Sequence, residues 1–239
     1  MGKIIGISGY AGAGKDTVAK IIQGIDYYYN GYGFREDSYT KYIVELLKGD
    51  HCIPSVFYNK KFADPLKDIL CILLGCTRED LENREFKEKE LGKEWWFSEW
   101  VDIDYYDYKI REYNCPPEDG WIKIKQVKTT PRILMQKLGT DLLRNRIHPD
   151  VFVNSLFSKY HSGFNWVISD VRFKNEVQAI KNRGGVVIRL LQGEPLQDHK
   201  SETELDNYDG WDYVIDNTET SIEELIEKVK EIMIKENII

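Results

Sequence analysis

With 239 residues, 42% of them hydrophobic and 31% charged, the chain is long enough for one large α/β domain with a full core, in an ordinary globular composition. A formal net charge of −7 excludes a surface that coats polynucleotides, because phosphate backbones select basic faces; a local basic pocket for a small phosphate ligand is still compatible with it. No apolar run approaches the roughly 20 residues of a membrane span, nothing of signal-peptide type opens the chain, and Cys52, Cys71, Cys76 and Cys115 form neither a C-x-x-C pair nor a zinc-ligand spacing. The expectation is a cytoplasmic protein with reduced thiols and neither a polynucleotide nor a membrane partner.

The first element predicted is a buried strand over 3–8, Lys-Ile-Ile-Gly-Ile-Ser. A glycine-rich turn comes next at 9–14, and Thr17, Val18, Ala19, Ile21 and Ile22 then give the apolar face of a helix. A second strand is expected at 55–62, ending at Ala63-Asp64-Pro65. Beyond the proline, Leu66, Ile69, Leu70, Leu73 and Leu74 stand at helical spacing.

The pattern degrades between about 77 and 128. Charges crowd 78–94, aromatics gather at Trp95, Trp96, Trp100, Tyr105, Tyr106 and Tyr108, and Pro116-Pro117 breaks the remainder of the segment. This reads as an inserted lid or subdomain whose aromatics pack locally. Order returns at Thr130-Pro131, a helix start with Ile133, Leu134, Leu138 and Leu142 on its buried face. Strands are predicted at 164–169, 186–191 and 212–215, with a helix at 174–183 after the first of them. Ser221 and Glu224 form a capping box for a last helix carrying Ile222, Leu225, Ile226, Val229, Ile232 and Met233 on one side. Strands alternating with helices imply a single α/β domain, a parallel sheet covered on both faces.

Gly9-Tyr10-Ala11-Gly12-Ala13-Gly14-Lys15 matches G-x-x-x-x-G-K, between a strand and a helix, the context that gives this motif meaning. Glycines let the backbone wrap a phosphate with successive N–H groups pointing inward, and the helix N-terminus adds a favourable dipole. Ala11, Gly12, Ala13, Gly14, Lys15, Asp16 and Thr17 are therefore the expected triphosphate site, in a P-loop NTPase fold. Asp16 replaces the usual hydroxyl residue after the lysine and Thr17 comes next, so either of the two is the candidate for orienting Mg²⁺.

Two further groups address a second substrate. Asp170 ends an apolar strand, where an open parallel sheet places its ligands, with Arg172 and Glu176 just beyond. An acid there can hold Mg²⁺ or, alternatively, cap a helix. Arg132, Gln136 and Thr140 stand at i, i+4 and i+8, one stripe of an α-helix, and Gly139 lets a backbone or a flat base approach closely. A guanidinium, an amide and a hydroxyl in line suit the phosphate, base and sugar of an acceptor, whereas a solvated polar face is the plainer reading.

Gly14-Lys15-Asp16-Thr17, Phe62-Ala-Asp-Pro-Leu-Lys67, Leu134-Met-Gln-Lys-Leu-Gly-Thr-Asp-Leu142, Ile168-Ser-Asp-Val-Arg172 with Glu176, and His199-Lys-Ser-Glu202 occur in this order. Together they resemble the deoxynucleoside monophosphate kinases of tailed bacteriophages. The resemblance skips 27–54 and 77–128, which read as insertions of this chain's own. It implies ATP as donor, a deoxynucleoside 5′-monophosphate as acceptor, the host cytoplasm as setting, and a homodimer as the assembly. By position it assigns Lys15, Asp16 and Thr17 to the triphosphate and metal, and Arg132, Gln136, Asp170, Arg172 and Glu176 to the acceptor and transfer. Asp64 and Lys67 fall on the acceptor side, Phe152 against the base, and His199 in a stretch over the donor nucleotide. An acceptor phosphate is already anionic near neutral pH, so Lys15, Arg132, Arg172 and Mg²⁺ need only align it and neutralise charge. The competing readings are a P-loop kinase for another small molecule, with Asp64 or Asp170 as base, and a non-enzymatic nucleotide-binding protein.

Overall fold

The apolar run at the start forms β1 (Ile4–Ser8), and all five of its residues are buried. A computed structural model describes residues 2–30, 39–49, 55–102, 121–193 and 200–239. The side chains of 99–102, 121–125, 200 and 202 are not among the described features. Among these residues the elements continue as α1 (Lys15–Asn30), α2 (Tyr39–Lys48), β2 (Phe57–Lys60), α3 (Asp64–Leu74), α4 (Arg78–Glu82), α5 (Arg84–Glu88), β3 (Phe97–Asp102), β4 (Trp121–Val127) and α6 (Pro131–Gln136). A π-helix then runs Lys137–Ile147, followed by α7 (Val151–Phe157), β5 (Asn165–Val171), α8 (Lys174–Lys181), β6 (Val186–Leu191), α9 (Lys200–Thr203), β7 (Tyr213–Asp216) and α10 (Ile222–Lys235).

The chain divides into two compact units, residues 1–65 with 140–239 and residues 66–139. In the first, a parallel sheet has the order β2-β5-β1-β6-β7. The central strand β1 lies between β5 and β6. The chain leaves β1 toward β2 but leaves β5 and β6 in the opposite sense, and such a reversal opens a crevice at the carboxyl ends of the strands.

Burial follows from period. Ile5 and Ile7 of β1, Ile188 and Leu190 of β6, and Val18, Ala19, Ile22 and Ile25 of α1 join one core with Ile226, Val229 and Met233 of α10. Each is excluded from water, worth roughly 1.5–3 kcal/mol for a large aliphatic side chain. Gly6 faces the other way, toward Val187, Val171 and Ile180 of α8, so helices cover both faces. The last helix is capped as its sequence predicts: the Ser221 hydroxyl accepts from the Glu224 N–H at 3.2 Å and the Glu224 carboxylate accepts from the Ser221 N–H at 3.1 Å.

In the second unit β3 and β4 form an antiparallel ribbon, and α4 carries a complete capping box through Thr77 and Asp80. Leu81 is fully buried and the Thr129 hydroxyl donates to the Trp95 carbonyl at 2.6 Å. Lys93 and Lys128 both lie over the Trp96 ring. Of the predicted aromatic cluster, the Trp100 side chain and Tyr105, Tyr106 and Tyr108 lie outside the described residues, as do Pro116-Pro117, Cys52 and Cys115. Cys71 and Cys76 are free thiols. No helix among the described residues is long and apolar enough to cross a membrane.

Two predicted faces need correction. On α3, Leu66 and Leu70 are buried, but Ile69 and Leu73, at the same helical spacing, are exposed. After α6 the winding changes to π, with i→i+5 hydrogen bonds. This rotates the register of everything beyond Gln136 relative to an α-helix, and Leu142, expected inside, is exposed.

Candidate functional site

The turn after β1 is built by two glycines in the left-handed region, Gly12 (φ 82°) and Gly14 (φ 83°), a conformation in which a side chain is strained. The Ala13 N–H donates to the Tyr10 carbonyl at 3.1 Å, closing the loop, and Gly14 O starts the α1 hydrogen-bond ladder by accepting from Val18. The Lys15 ammonium donates to the carbonyls of Gly9 (2.7 Å) and Tyr10 (2.6 Å), so its charge is folded back over the loop instead of extending into solvent. A glycine turn, a helix N-terminus and a cation lie together there, constituents that suit a phosphate cradle.

Asp16, in the first turn of α1, accepts from the Ser169 hydroxyl at 2.9 Å and from Lys61 at 2.9 Å. Desolvation would raise its carboxyl; the charge and hydrogen bond of Lys61, the Ser169 hydroxyl and the charge of Lys15 together hold it below the usual carboxylate range. It is therefore ionised near neutral pH. Ser169 also reaches Asn59 of β2 at 3.3 Å, so the carboxyl ends of β2 and β5 both meet the start of α1.

Asp170 sits at the end of β5 as expected, but its carboxylate is occupied. One oxygen accepts from the Phe62 N–H at 2.8 Å and the other from the Ala63 N–H at 2.9 Å. Desolvation raises its pKa, opposed by these two N–H groups and by Arg172 and Lys61. It thus caps the turn that leads into α3, a different helix from the one it precedes in sequence. The capping of α8 falls to Glu176, one oxygen of which accepts from the N–H groups of Arg172 (2.8 Å) and Phe173 (3.1 Å). The other oxygen pairs with Arg144, whose guanidinium lies 3.8 Å from the Phe173 ring centroid and 4.9 Å from that of Phe152. Burial pushes the Glu176 carboxyl up to about 7, with the Arg144 charge opposing and that of Asp170 adding. Arg172 donates to the Ser201 carbonyl at 3.2 Å.

Phe152 is buried, with the Arg144 guanidinium over its ring. Thr140 is buried as well, and the π-winding that begins at Lys137 takes it off the α-helical stripe expected to align it with Arg132 and Gln136. In the second unit Arg132 pairs with Glu88, and Lys67 with Glu82. The bare face of Gly139 is filled by Leu66: a Cβ would lie 2.7 Å from its Cδ2, so the close approach is a side chain packing on the helix. Asp64 opens α3, its N–H donating to the Lys61 carbonyl at 3.3 Å. His199 lies outside the described residues.

Sequence reading missed Lys61, Ser169 and Arg144, each of which holds a predicted site residue. Lys61 had a signal, a cation at the end of a strand just before the Ala-Asp-Pro turn. Arg144 had none, since its partner Glu176 stands 32 positions away.

Comparison with known proteins supplies what geometry by itself does not. Residues 98–229 match the family model described as deoxynucleotide monophosphate kinase, a stretch that takes in 98–128, within the segment read from sequence as an insertion. The chain is 27% identical over 241 residues to a protein of Acanthamoeba polyphaga mimivirus named "Putative deoxynucleotide monophosphate kinase", covering 95% of this chain and 93% of that one. It is 29% identical over 206 residues to the deoxynucleoside-5′-monophosphate kinase of Escherichia phage T5, covering 76% of this chain and 72% of the other. Since the family match spans more than half of a chain whose parallel sheet is followed, after its central strand, by a glycine-rich turn into a helix, the chain belongs to the deoxynucleotide monophosphate kinases and is a phosphotransferase that phosphorylates deoxynucleoside monophosphates.

Proposed function

We propose that the donor is ATP with Mg²⁺, bound at the turn after β1, and that the acceptor is a deoxynucleoside 5′-monophosphate converted to its diphosphate. The observation that carries this reading is Lys15, seated on the carbonyls of Gly9 and Tyr10 above two left-handed glycines at the start of α1. Residues Ala11 to Lys15 hold the triphosphate, the backbone N–H groups by direction and Lys15 by charge. The residues present suit a magnesium ion: Asp16 is an ionised hard-oxygen ligand and Thr17 a neighbouring hydroxyl, and Mg²⁺ characteristically takes one or two protein groups beside substrate phosphates. When bound, the ion neutralises charge on the β- and γ-phosphates.

The chain's own work is alignment. Lys61 and Ser169 fix the Asp16 carboxylate, and Asp170 fixes the turn that carries Asp64. Toward the acceptor and transfer we assign Asp64, Lys67, Arg132, Gln136, Gly139, Thr140, Phe152, Asp170, Arg172 and Glu176 by the resemblance. Of these Arg132 and Arg172 carry the charge that a transferring phosphoryl group needs. Arg132 exchanges Glu88 for phosphate, which likewise offers two oxygens to the planar guanidinium fork. Within the set, Glu176 with Arg144 acts as a support for Arg172, since both Glu176 oxygens are spent on backbone N–H groups and a guanidinium.

The test is ADP release from ATP with each dNMP, each NMP and no acceptor, with and without Mg²⁺. Turnover should require both a dNMP and the metal. Turnover with no nucleotide acceptor, or with NMPs only, would reject the acceptor assignment.

A further inference from the structure

Asn217, the first residue after β7, is 7% exposed and touches the phosphate loop from behind. Its Nδ2 donates to the Ala13 carbonyl at 2.9 Å and to Gln192 Oε1 at 2.7 Å, while its Oδ1 is buried with no hydrogen-bond partner among the described residues. The Ala13 carbonyl fixes that orientation of the amide, since turning it over would set the Asn217 oxygen against a backbone oxygen, acceptor against acceptor. An unpaired buried acceptor is a cost, and the group that incurs it is the one holding the loop. The turn around Asn217 is itself fixed: Thr218 N–H donates to Asp216 Oδ1 at 3.0 Å and the Thr218 hydroxyl to the Leu191 carbonyl at 2.9 Å.

We infer that Asn217 is the positioning residue that aims the Gly14 N–H into the phosphate cradle, through its hydrogen bond to the Ala13 carbonyl. The geometry is that of a single peptide plane. Ala13 C=O and Gly14 N–H belong to one trans peptide, so they point in opposite directions. Anchoring the carbonyl outward on Asn217 sends the N–H inward. Gly14 sits at φ 83° and has Asn217 Nδ2 3.6 Å from the position of its absent Cβ, so the glycine alone leaves this plane free to rotate unless a tether holds it. The ligand class is a polyphosphate; base and ribose play no part.

This rests on the reading of the turn as the triphosphate site, and the experiment separates the two. Binding of ATP and of inorganic tripolyphosphate, each with Mg²⁺, is measured calorimetrically for Asn217→Asp, Asn217→Ala, Gln192→Ala and Lys15→Ala. Asn217→Asp keeps the shape and faces the carbonyl with oxygen; Asn217→Ala removes the donor without burying a charge and covers the case in which the acid misfolds. Both should weaken ATP and tripolyphosphate in parallel, by about tenfold or more, the effect of one lost hydrogen bond plus a misaligned donor. In steady-state assays KM for ATP should rise with them while KM for the dNMP stays, a split that general loosening of the fold does not produce. Gln192→Ala, which leaves the Ala13 tether intact, should change neither. The inference is overturned if Asn217 variants bind tripolyphosphate normally, if only ATP is weakened (Asn217 then reads the base), or if Gln192→Ala has the same effect. Should Lys15→Ala also bind tripolyphosphate normally, the phosphate-loop reading itself fails.

Discussion

Replacing Asp170 with Asn removes one charge and one acceptor while keeping the shape, at a place where the structure uses both oxygens. The carboxylate accepts from two neighbouring backbone N–H groups, those of Phe62 and Ala63. An asparagine can satisfy one of them with its oxygen, as a neutral bond; its NH₂ then faces the other N–H, leaving a donor unpaired. Charge-assisted bonds contribute about 1.5–3 kcal/mol and an unsatisfied buried donor costs about 1–3 kcal/mol. Relief of the desolvated charge offsets part of this, so a net loss of about 3 kcal/mol is expected. In a chain of this size that is a fall in Tm of roughly 6–12 °C. The assay is urea and thermal denaturation of both proteins at pH 7.5, with kcat and acceptor KM measured well below the lower Tm. Because the turn held by Asp170 leads directly into Asp64, KM for the dNMP should rise as well. A variant within about 0.5 kcal/mol of the parent would refute the assignment of both oxygens to the 62–63 turn. A large loss of kcat with stability and KM unchanged would instead make Asp170 a reacting or metal-holding group.

Lys15→Ala should lower kcat by roughly 10²-fold or more, as loss of a charge aimed at the transferring group does; near-normal turnover at saturating ATP would remove the phosphate loop from the mechanism. Arg132→Lys keeps the charge but loses the planar fork, so it should impair dNMP use strongly while binding of a non-hydrolysable ATP analogue is little changed, and Gln136→Ala should raise acceptor KM unevenly between bases. Weakened analogue binding with normal acceptor KM would move this helix to the donor side. Glu176 titrates at about 7 when folded against 4.5 when unfolded, its burial outweighing Arg144. Between those values the native state keeps a proton that the unfolded state has released, so its contribution to stability is full below about pH 4.5 and is lost as pH rises toward 7. Urea denaturation at pH 5 and pH 8 should therefore show the parent losing on the order of 3 kcal/mol more than Glu176→Gln over that interval, and equal pH dependence in the two proteins would contradict it.

Local pattern determined a good deal of this protein. Strand 186–191, the capped last helix, the Thr130-Pro131 helix start and the glycine turn all formed where neighbouring residues demanded them, because hydrophobic period, capping hydrogen bonds and glycine's access to positive φ act within a few residues. The turn proposed as the phosphate site was legible as a turn for the same reason, its parts lying within nine consecutive positions. Tertiary structure decided what the distant polar groups do. Sequence placed Asp170 at a strand end, but only the β2–β5 pairing brings the 62–63 turn onto its two oxygens and makes it a clamp. Lys61 meets Asp16 for the same reason, and Arg144, Phe152 and Glu176 form one stack from three elements that no periodicity relates. Helical spacing was also an unsafe guide beyond Gln136, since the change to i→i+5 winding turned Leu142 out and took Thr140 off its stripe. A hydrogen bond depends on direction over about 3 Å, and which groups meet at that range is set by how the strands stack side by side, information that no stretch of sequence carries alone.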